Sequence, residues 1–167
     1  MWRKGAERGS AAGQVLLGAY LASGSGVGGD GSEAAKWFRK AADAGNTRGM
    51  FRLGGMYLEG RGVEEDWREA AKWFRKAADA GFPPSMMSLG CVYEQGIGVE
   101  KDEKEAVRWY RNAADAGNAH GMTSLGGMYE QGRGVEKDEK VAFDWYRKAA
   151  ELGDENAKKN LKRLGKD

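Results

Sequence analysis

The side chains best suited to nucleophilic chemistry are a thiol and an imidazole, and this sequence has one of each, Cys91 and His120. A thiolate attacks when a neighbouring base takes its proton. The two lie in different stretches of the chain, so a dyad would need two packed helices, each supplying one member. The more economical reading gives His120 a variable surface position and Cys91 a small-residue slot in a packed groove. Nor does any group of His, Cys, Asp and Glu have the spacing of a zinc site, and the acidic strings GVEKDEK lack the alternating oxygen ligands of a calcium loop. Gly24, Gly26 and Gly29 spell GxGxxG, a motif that holds pyrophosphate only between a strand and a helix N-terminus. Here the preceding LLGAYLAS is helical in pattern, and the same loop recurs as GRGVEED, GIGVEKD and GRGVEKD. The sequence implies no cofactor, no metal and no catalysis.

Two rows of residues invite other chemistry. Trp37, Trp73, Trp109 and Trp145 could stack on a sugar or a base, but each sits beside a Phe or Tyr and near two alanines, on what reads as an inward helix face, which makes them core. Arg39, Arg75, Arg111 and Arg147, with Lys40, Lys76 and Lys148, could follow a phosphate backbone. Asp43, Asp79 and Asp115 stand four residues after the first three arginines, where ordinary intrahelical pairs form, so this row reads as a solvated face.

Overall charge points the same way. With 27 Lys and Arg against 25 Asp and Glu the net charge is +2, which gives no general attraction to nucleic acid or an anionic membrane. No apolar run approaches the length of a membrane span. A single cysteine makes no intramolecular disulfide. The expectation is a soluble protein, with the cytoplasm favoured and no compartment fixed.

The rows exist because the sequence repeats. WFRKAADAG begins at Trp37 and again at Trp73, then returns as WYRNAADAG at Trp109 and WYRKAAELG at Trp145. Most of the glycines keep the same 36-residue interval, so they punctuate a repeat and do not mark a flexible chain. In the unit 46–81, Met50, Leu53, Met56 and Tyr57 share one helical face and predict a helix A over 46–59. GRGVEED then breaks the helix, with Val63 placed to plug the gap. Asp66, followed by Glu69, predicts the N-cap of a helix B with Ala70, Trp73, Phe74, Ala77 and Ala78 inward and Gly81 at its C-terminal end. Asp30/Glu33 and Asp102/Glu105 repeat the pair, while Asp138 is followed by Val141. A glycine within helix A, at 18, 54, 90 and 126, costs about 1 kcal/mol relative to alanine. Close approach of a neighbouring backbone is the expected compensation.

A helix pair of this kind cannot bury both faces alone, so the pairs must stack. The prediction is all-α: a right-handed α-solenoid of antiparallel helix pairs. It comprises a partial helix B at 1–9, repeats at 10–45, 46–81, 82–117 and 118–153, and a capping helix at 154–167 in which Ala157, Leu161 and Leu164 take helix A positions. Starting in mid-repeat, the chain reads as a fragment of a longer array with an open N-terminal edge able to stack on another molecule.

The residues Leu53, Gly54, Tyr57, Gly60, Gly62, Val63, Asp66, Ala70, Trp73, Phe74, Ala77, Ala78 and Gly81, with their counterparts, resemble the Sel1-like repeat family, a relative of the tetratricopeptide repeats. The resemblance covers nearly the whole chain. Leu21 departs from it where the other copies have Tyr, as do Gly49 and Gly121 where alanine is usual, and these are expected to weaken single helices. The family resemblance implies a noncatalytic scaffold or adaptor for protein partners. Some cysteine-rich members are associated with binding or hydrolysing β-lactams, but they carry a cysteine pair in most repeats, and this chain has one cysteine.

Differences between copies locate what a partner would read. By analogy with tetratricopeptide arrays, helix A lines a concave face, and the candidate partner-binding residues are Arg48, Phe51, Gly55, Met87, Cys91, Glu94, Gln95, His120, Thr123, Gly127, Glu130 and Gln131. Phe51 and Met87 would grip an extended peptide or a partner helix, the small residues would let it approach the backbone, and the polar groups would orient it. The competing expectation for Phe51 and Met87 is packing against the preceding repeat. Self-association without a ligand groove is the alternative function.

Overall fold

Asparagine and aspartate open most of the described helices, and glycine closes most of them. Asn46 and Asn118 accept the amides of Gly49 and Gly121 at 2.9 and 2.8 Å, and Asp66 accepts those of Arg68 and Glu69 at 2.9 and 3.0 Å. These bonds satisfy amides that the first helical turn leaves without intrahelical partners. At the other end of helix B, Gly45 takes a positive φ of 81°. Its amide bonds to Ala42 and that of Asn46 to Ala41, both at 2.9 Å, a paired closure that β-carbon sterics reserve for glycine. Gly9 and Ser10 close the first helix in the same way.

The computed structural model describes residues 2–23 and 30–165, and the GSGVGG string lies outside them. The described residues form α1 (Trp2–Glu7), α2 (Ala11–Ala22), α3 (Gly31–Asp43), α4 (Thr47–Glu59), α5 (Trp67–Asp79), α6 (Pro83–Gln95), α7 (Glu103–Asp115), α8 (Ala119–Gln131), α9 (Glu139–Glu151) and α10 (Glu155–Arg163), with no strand among them. From α2 onward, even-numbered helices are the A elements and odd-numbered ones the B elements. The chain divides into two compact units, Met1–Phe82 and Pro83–Asp167. Within the first, α2 packs on α1 and α3, and α4 on α3 and α5. Within the second, α6 packs on α7, α8 on α7 and α9, and α10 on α9.

The helix A glycines mark where partner helices come closest. A β-carbon on Gly54 would lie 2.8 Å from the Phe74 ring, and one on Gly126 would lie 2.7 Å from the Tyr146 ring. The expected backbone approach is present, with the Ala70 and Ala142 carbonyl oxygens 3.3 and 3.2 Å from those two positions, but the nearest group is an aromatic ring of helix B lying on helix A. Gly49 and Gly121, expected to be mere weak points, have their own packing reason. Their β-carbons would meet Ala41 at 2.8 Å and Ala113 at 2.7 Å, so glycine lets helix A settle on the preceding helix B. Backbone does meet backbone at the loop glycines: a β-carbon on Gly62 would be 2.0 Å from the carbonyl oxygen of Gly31. Val63 and Val135 pack against the two cores.

Two sequence expectations need correcting. Arg39 and Arg111 do not pair with Asp43 and Asp115. Each donates to the hydroxyl of a tyrosine in the following helix A, Tyr57 or Tyr129, and stands 5.7 Å from that ring's centroid. A cation held over a ring face in this way joins successive repeats, which a surface ion pair would not do. Of the ladder tryptophans only Trp73 is buried; Trp37, Trp109 and Trp145 are half-buried. Lys40, Lys76 and Lys148 cover the rings of Trp37, Trp73 and Trp145 at 4.2, 4.2 and 4.3 Å.

Asp154 fixes the last helix. Its carboxylate is almost fully buried and accepts the Ala157 amide at 2.8 Å. Burial alone would raise its pKa, but the Ala157 amide, the Thr123 hydroxyl and the His120 ring outweigh it and hold the carboxyl below its usual value of 3.8. A lowered folded pKa stabilises the fold above pH 3.8, and the gain is lost as pH falls through the folded value. Asp154→Asn keeps a capping oxygen and loses the charge. Urea unfolding should show the wild type more stable than Asp154→Asn at pH 7, with the gap closing below pH 3.8. A gap independent of pH would contradict this assignment.

Two adjacent glycines give an internal control on the packing. Gly54→Ala should cost about 1–3 kcal/mol by forcing the Phe74 ring aside. Gly55, by contrast, has nothing within 4 Å of an added β-carbon, so Gly55→Ala should gain about 0.5–1 kcal/mol from helix propensity. Thermal unfolding of the two variants should move in opposite directions.

Candidate functional site

Packing consumes three sides of α4 and leaves one stripe. In α4, Gly49 meets α3, Gly54 lies under Phe74 of α5, and Leu53 and Met56 are buried. Arg48, Phe51, Arg52, Gly55 and Glu59 recur at helical spacing on the remaining side. Arg48, Arg52 and Glu59 are exposed, and Phe51 and Gly55 are half-buried. The Phe51 ring lies 5.8 Å from that of Phe74 and 5.6 Å from that of Phe82, at tilted and edge-on angles. The Phe51 ring thus meets an aromatic ring of its own repeat and that of the residue that follows the repeat. Its equivalent in α2, Val15, is buried in the core.

In the second unit most of the stripe is already engaged. Met87 and Cys91 bring their sulfurs to 3.7 Å, and the Tyr110 hydroxyl lies 3.2 Å from Cys91 Sγ and 2.5 Å from Glu94. Arg133 donates to the other Glu94 oxygen at 2.7 Å and to Glu103 at 3.1 Å. Farther along, His120 Nδ1 is 2.5 Å from Asp154. Thr123 lies beside the same carboxylate, and its hydroxyl donates to the Ala119 carbonyl at 3.1 Å. Tyr146 donates to Glu130 at 2.7 Å, and Arg163 reaches both Glu130 oxygens at 2.7 Å. A β-carbon on Gly127 would make ordinary contact with the Tyr146 hydroxyl at 3.6 Å. Gln95 and Gln131 stand in solvent.

The twelve sequence-derived residues thus separate into clusters. Met87, Cys91 and Glu94 meet around Tyr110, His120 and Thr123 around Asp154, and Gly127 and Glu130 around Tyr146. Arg48, Gln95 and Gln131 project freely.

This arrangement does not favour nucleophilic chemistry. Burial raises the Cys91 pKa, and the bond from Tyr110 only partly offsets it, so the reactive thiolate is suppressed at neutral pH. Its hydrogen-bond partners are Tyr110 and Met87, while His120 is bound to Asp154. No group of three or more His, Cys, Asp and Glu side chains among the described residues could hold a metal ion. None of the described helices is long and apolar enough to cross a membrane.

The clamps on Glu94 and Glu130 escaped the sequence reading, although the chain carries their signal. Where helix B has Tyr110 or Tyr146, helix A has Glu94 or Glu130. Where it has Phe38 or Phe74, the equivalent helix A residues are Ala22 and Leu58. Hydroxyl and carboxylate change together because one donates to the other. Burial and the bond to Glu130 accordingly raise the Tyr146 pKa. Glu130 itself would be raised by burial but is lowered on balance by Arg163 and Tyr146.

Comparison with known proteins agrees with this architecture. No match was found among curated proteins. Three solved structures are similar. A protective antigen of uropathogenic Escherichia coli with an SLR fold is 40% identical, with a TM-score of 0.88 over 92% of this chain and 33% of that one. A Sel1 repeat protein of Oxalobacter formigenes is 41% identical, with a TM-score of 0.84 over 88% and 60% of the two chains. Helicobacter pylori cysteine rich protein B is 28% identical, with a TM-score of 0.64 over 83% and 99%. The chain therefore spans a third of the first neighbour and three fifths of the second. The Sel1 repeat model matches residues 11–46, 47–82, 83–118 and 119–154. With its glycine-seated aromatic rings repeated from one helix pair to the next, the chain belongs to the Sel1 repeat family.

Proposed function

We propose that this protein is a noncatalytic interaction scaffold that binds a protein or peptide along the outward stripe of its A helices. One observation carries the reading: the packed sides of helix A stay nearly constant from copy to copy, while the outward stripe changes chemistry. Arg48, Phe51, Arg52 and Gly55 in α4 become Pro84, Met87, Ser88 and Cys91 in α6, then His120, Thr123, Ser124 and Gly127 in α8. Packing explains constancy, and variable positions on a rigid scaffold are where recognition is built.

Gly55 supplies a test that separates binding from folding. Because an added side chain there meets open space, Gly55→Gln should stay folded, melt higher than the wild type, and obstruct the stripe. Lysate capture read by mass spectrometry should then lose the wild-type partners while circular dichroism shows intact helices. Identical capture by both proteins would refute a partner site on α4.

A second reading, self-association, is favoured by α2, where Leu16 and Tyr20 are 47% and 42% exposed. The residues equivalent to Tyr20 in α4 and α8 are Met56 and Met128, which are buried. If α2 joins two copies, light scattering should show a dimer at high concentration that Leu16→Glu dissociates. A monomer throughout would remove this reading.

A further inference from the structure

Arg48 and Arg52 are placed against the interests of their own helix. Arg48 is the second residue of α4, at the positive end of the helix dipole, where a cation is unfavourable. Arg52 follows four residues later, where like charges repel. Both are exposed, and neither has a carboxylate within ion-pair reach among the described residues; the one acid of α4, Glu59, is taken by Arg61 at 3.3 Å. Local rules broken without compensation inside the fold point to a requirement outside it.

The second unit shows what such a position takes. His120 is the counterpart of Arg48 in α8, and it binds the carboxylate of Asp154, the residue that caps the next helix. The counterpart of Asp154 in the first unit is Phe82, whose ring packs on Phe51 and offers no charge. Arg48 thus lacks the acid that its counterpart has. Next to it stand a half-buried aromatic ring and, at Gly55, an open patch of helix backbone.

We infer that the α4 stripe docks an acidic segment of a partner protein, with carboxylates on Arg48 and Arg52 and an apolar side chain against Phe51 and Phe82. This rests on the reading that the outward stripe is the partner site, and it names the partner's chemistry. Guanidinium forks bind carboxylates in a fixed two-bond geometry. An acidic peptide fits better than nucleic acid, because two cations ending at an ion-paired Glu59 do not make a track for a phosphate backbone.

The test is a peptide array in which one Phe is flanked by zero to four Asp or Glu residues at varied spacing, beside the same peptides with Asn and Gln. The probes are the full chain, its Arg48→Gln/Arg52→Gln variant, and Arg68→Gln as a control for an exposed arginine elsewhere in the unit. Wild type and control should bind more strongly as carboxylates are added, and should lose binding as salt rises. The double variant should lose about tenfold in affinity for the best acidic peptide. Arg48→Glu/Arg52→Glu should transfer the preference to lysine-bearing peptides.

Equal binding of acidic and amide peptides, absence of binding across the array, or an undiminished double variant would each overturn the inference. Tighter binding of single-stranded DNA than of any peptide, abolished by the double variant, would overturn it in favour of a phosphate ligand. If amide peptides bind equally and Gly55→Gln blocks them, the stripe remains a partner site and only its acidic preference fails. If Gly55→Gln changes nothing for a peptide that binds, the partner-site reading fails with it.

Discussion

A ring of helix B lying on bare backbone of helix A is the contact on which every repeat depends. Phe38 on Gly18, Phe74 on Gly54, Tyr110 on Gly90 and Tyr146 on Gly126 leave no room for a β-carbon between them. The separation of the two helices is therefore fixed by the thickness of an aromatic ring. Glycine weakens helix A locally, by about 1 kcal/mol against alanine, and the burial of a large ring offsets that cost. Once this distance is set, the remaining small residues follow. Gly49 and Gly121 let helix A close on the preceding helix B, and Gly62 lets the next loop rest against the start of α3.

How much of this was legible in the sequence divides along a physical line. Features that depend on neighbours along the chain were readable: the cap at Asp66, the glycine closures, the helix boundaries to within a residue or two and the repeat. Their causes lie within a few residues, so a spacing rule suffices. Features that depend on which helix faces which were misjudged or missed. Arg39 was assigned to Asp43 on its own helix because that distance is readable, whereas Tyr57 becomes a neighbour only after stacking. At Gly54 the approach of helix B backbone was anticipated, but the Phe74 ring that comes nearer still was not, for the same reason. The Tyr146–Glu130 pair was nearer to reach, since the two residue types switch together between copies. Only a comparison of positions on different helices would have exposed it.

The candidate site follows the same division. That one side of helix A varies between copies could be read directly, but Arg52 and Glu59, exposed on the same side of α4, were left out of the candidate set. Which members are engaged within the fold could not be read. Glu94, His120 and Glu130 look alike as polar groups on a surface, yet each already has a partner: Arg133 for Glu94, Asp154 for His120 and Arg163 for Glu130. Such groups are costly to recruit for a ligand, because binding must first break a charge-assisted bond.

The stripe is thus resolved in two ways within one chain. In the second unit its ionisable side chains are committed to the fold, and they lock successive helices through contacts between residues far apart in sequence. In the first unit Arg48 and Arg52 remain uncommitted on a helix whose other sides are fixed by Gly49, Leu53 and Gly54. Mounting free groups on a rigid element lowers the ordering cost of binding, because the backbone that carries them is already in place. A repeat architecture makes this division possible: each copy needs only its ring, its glycines and its caps, and whatever the outward stripe carries beyond them is free to change.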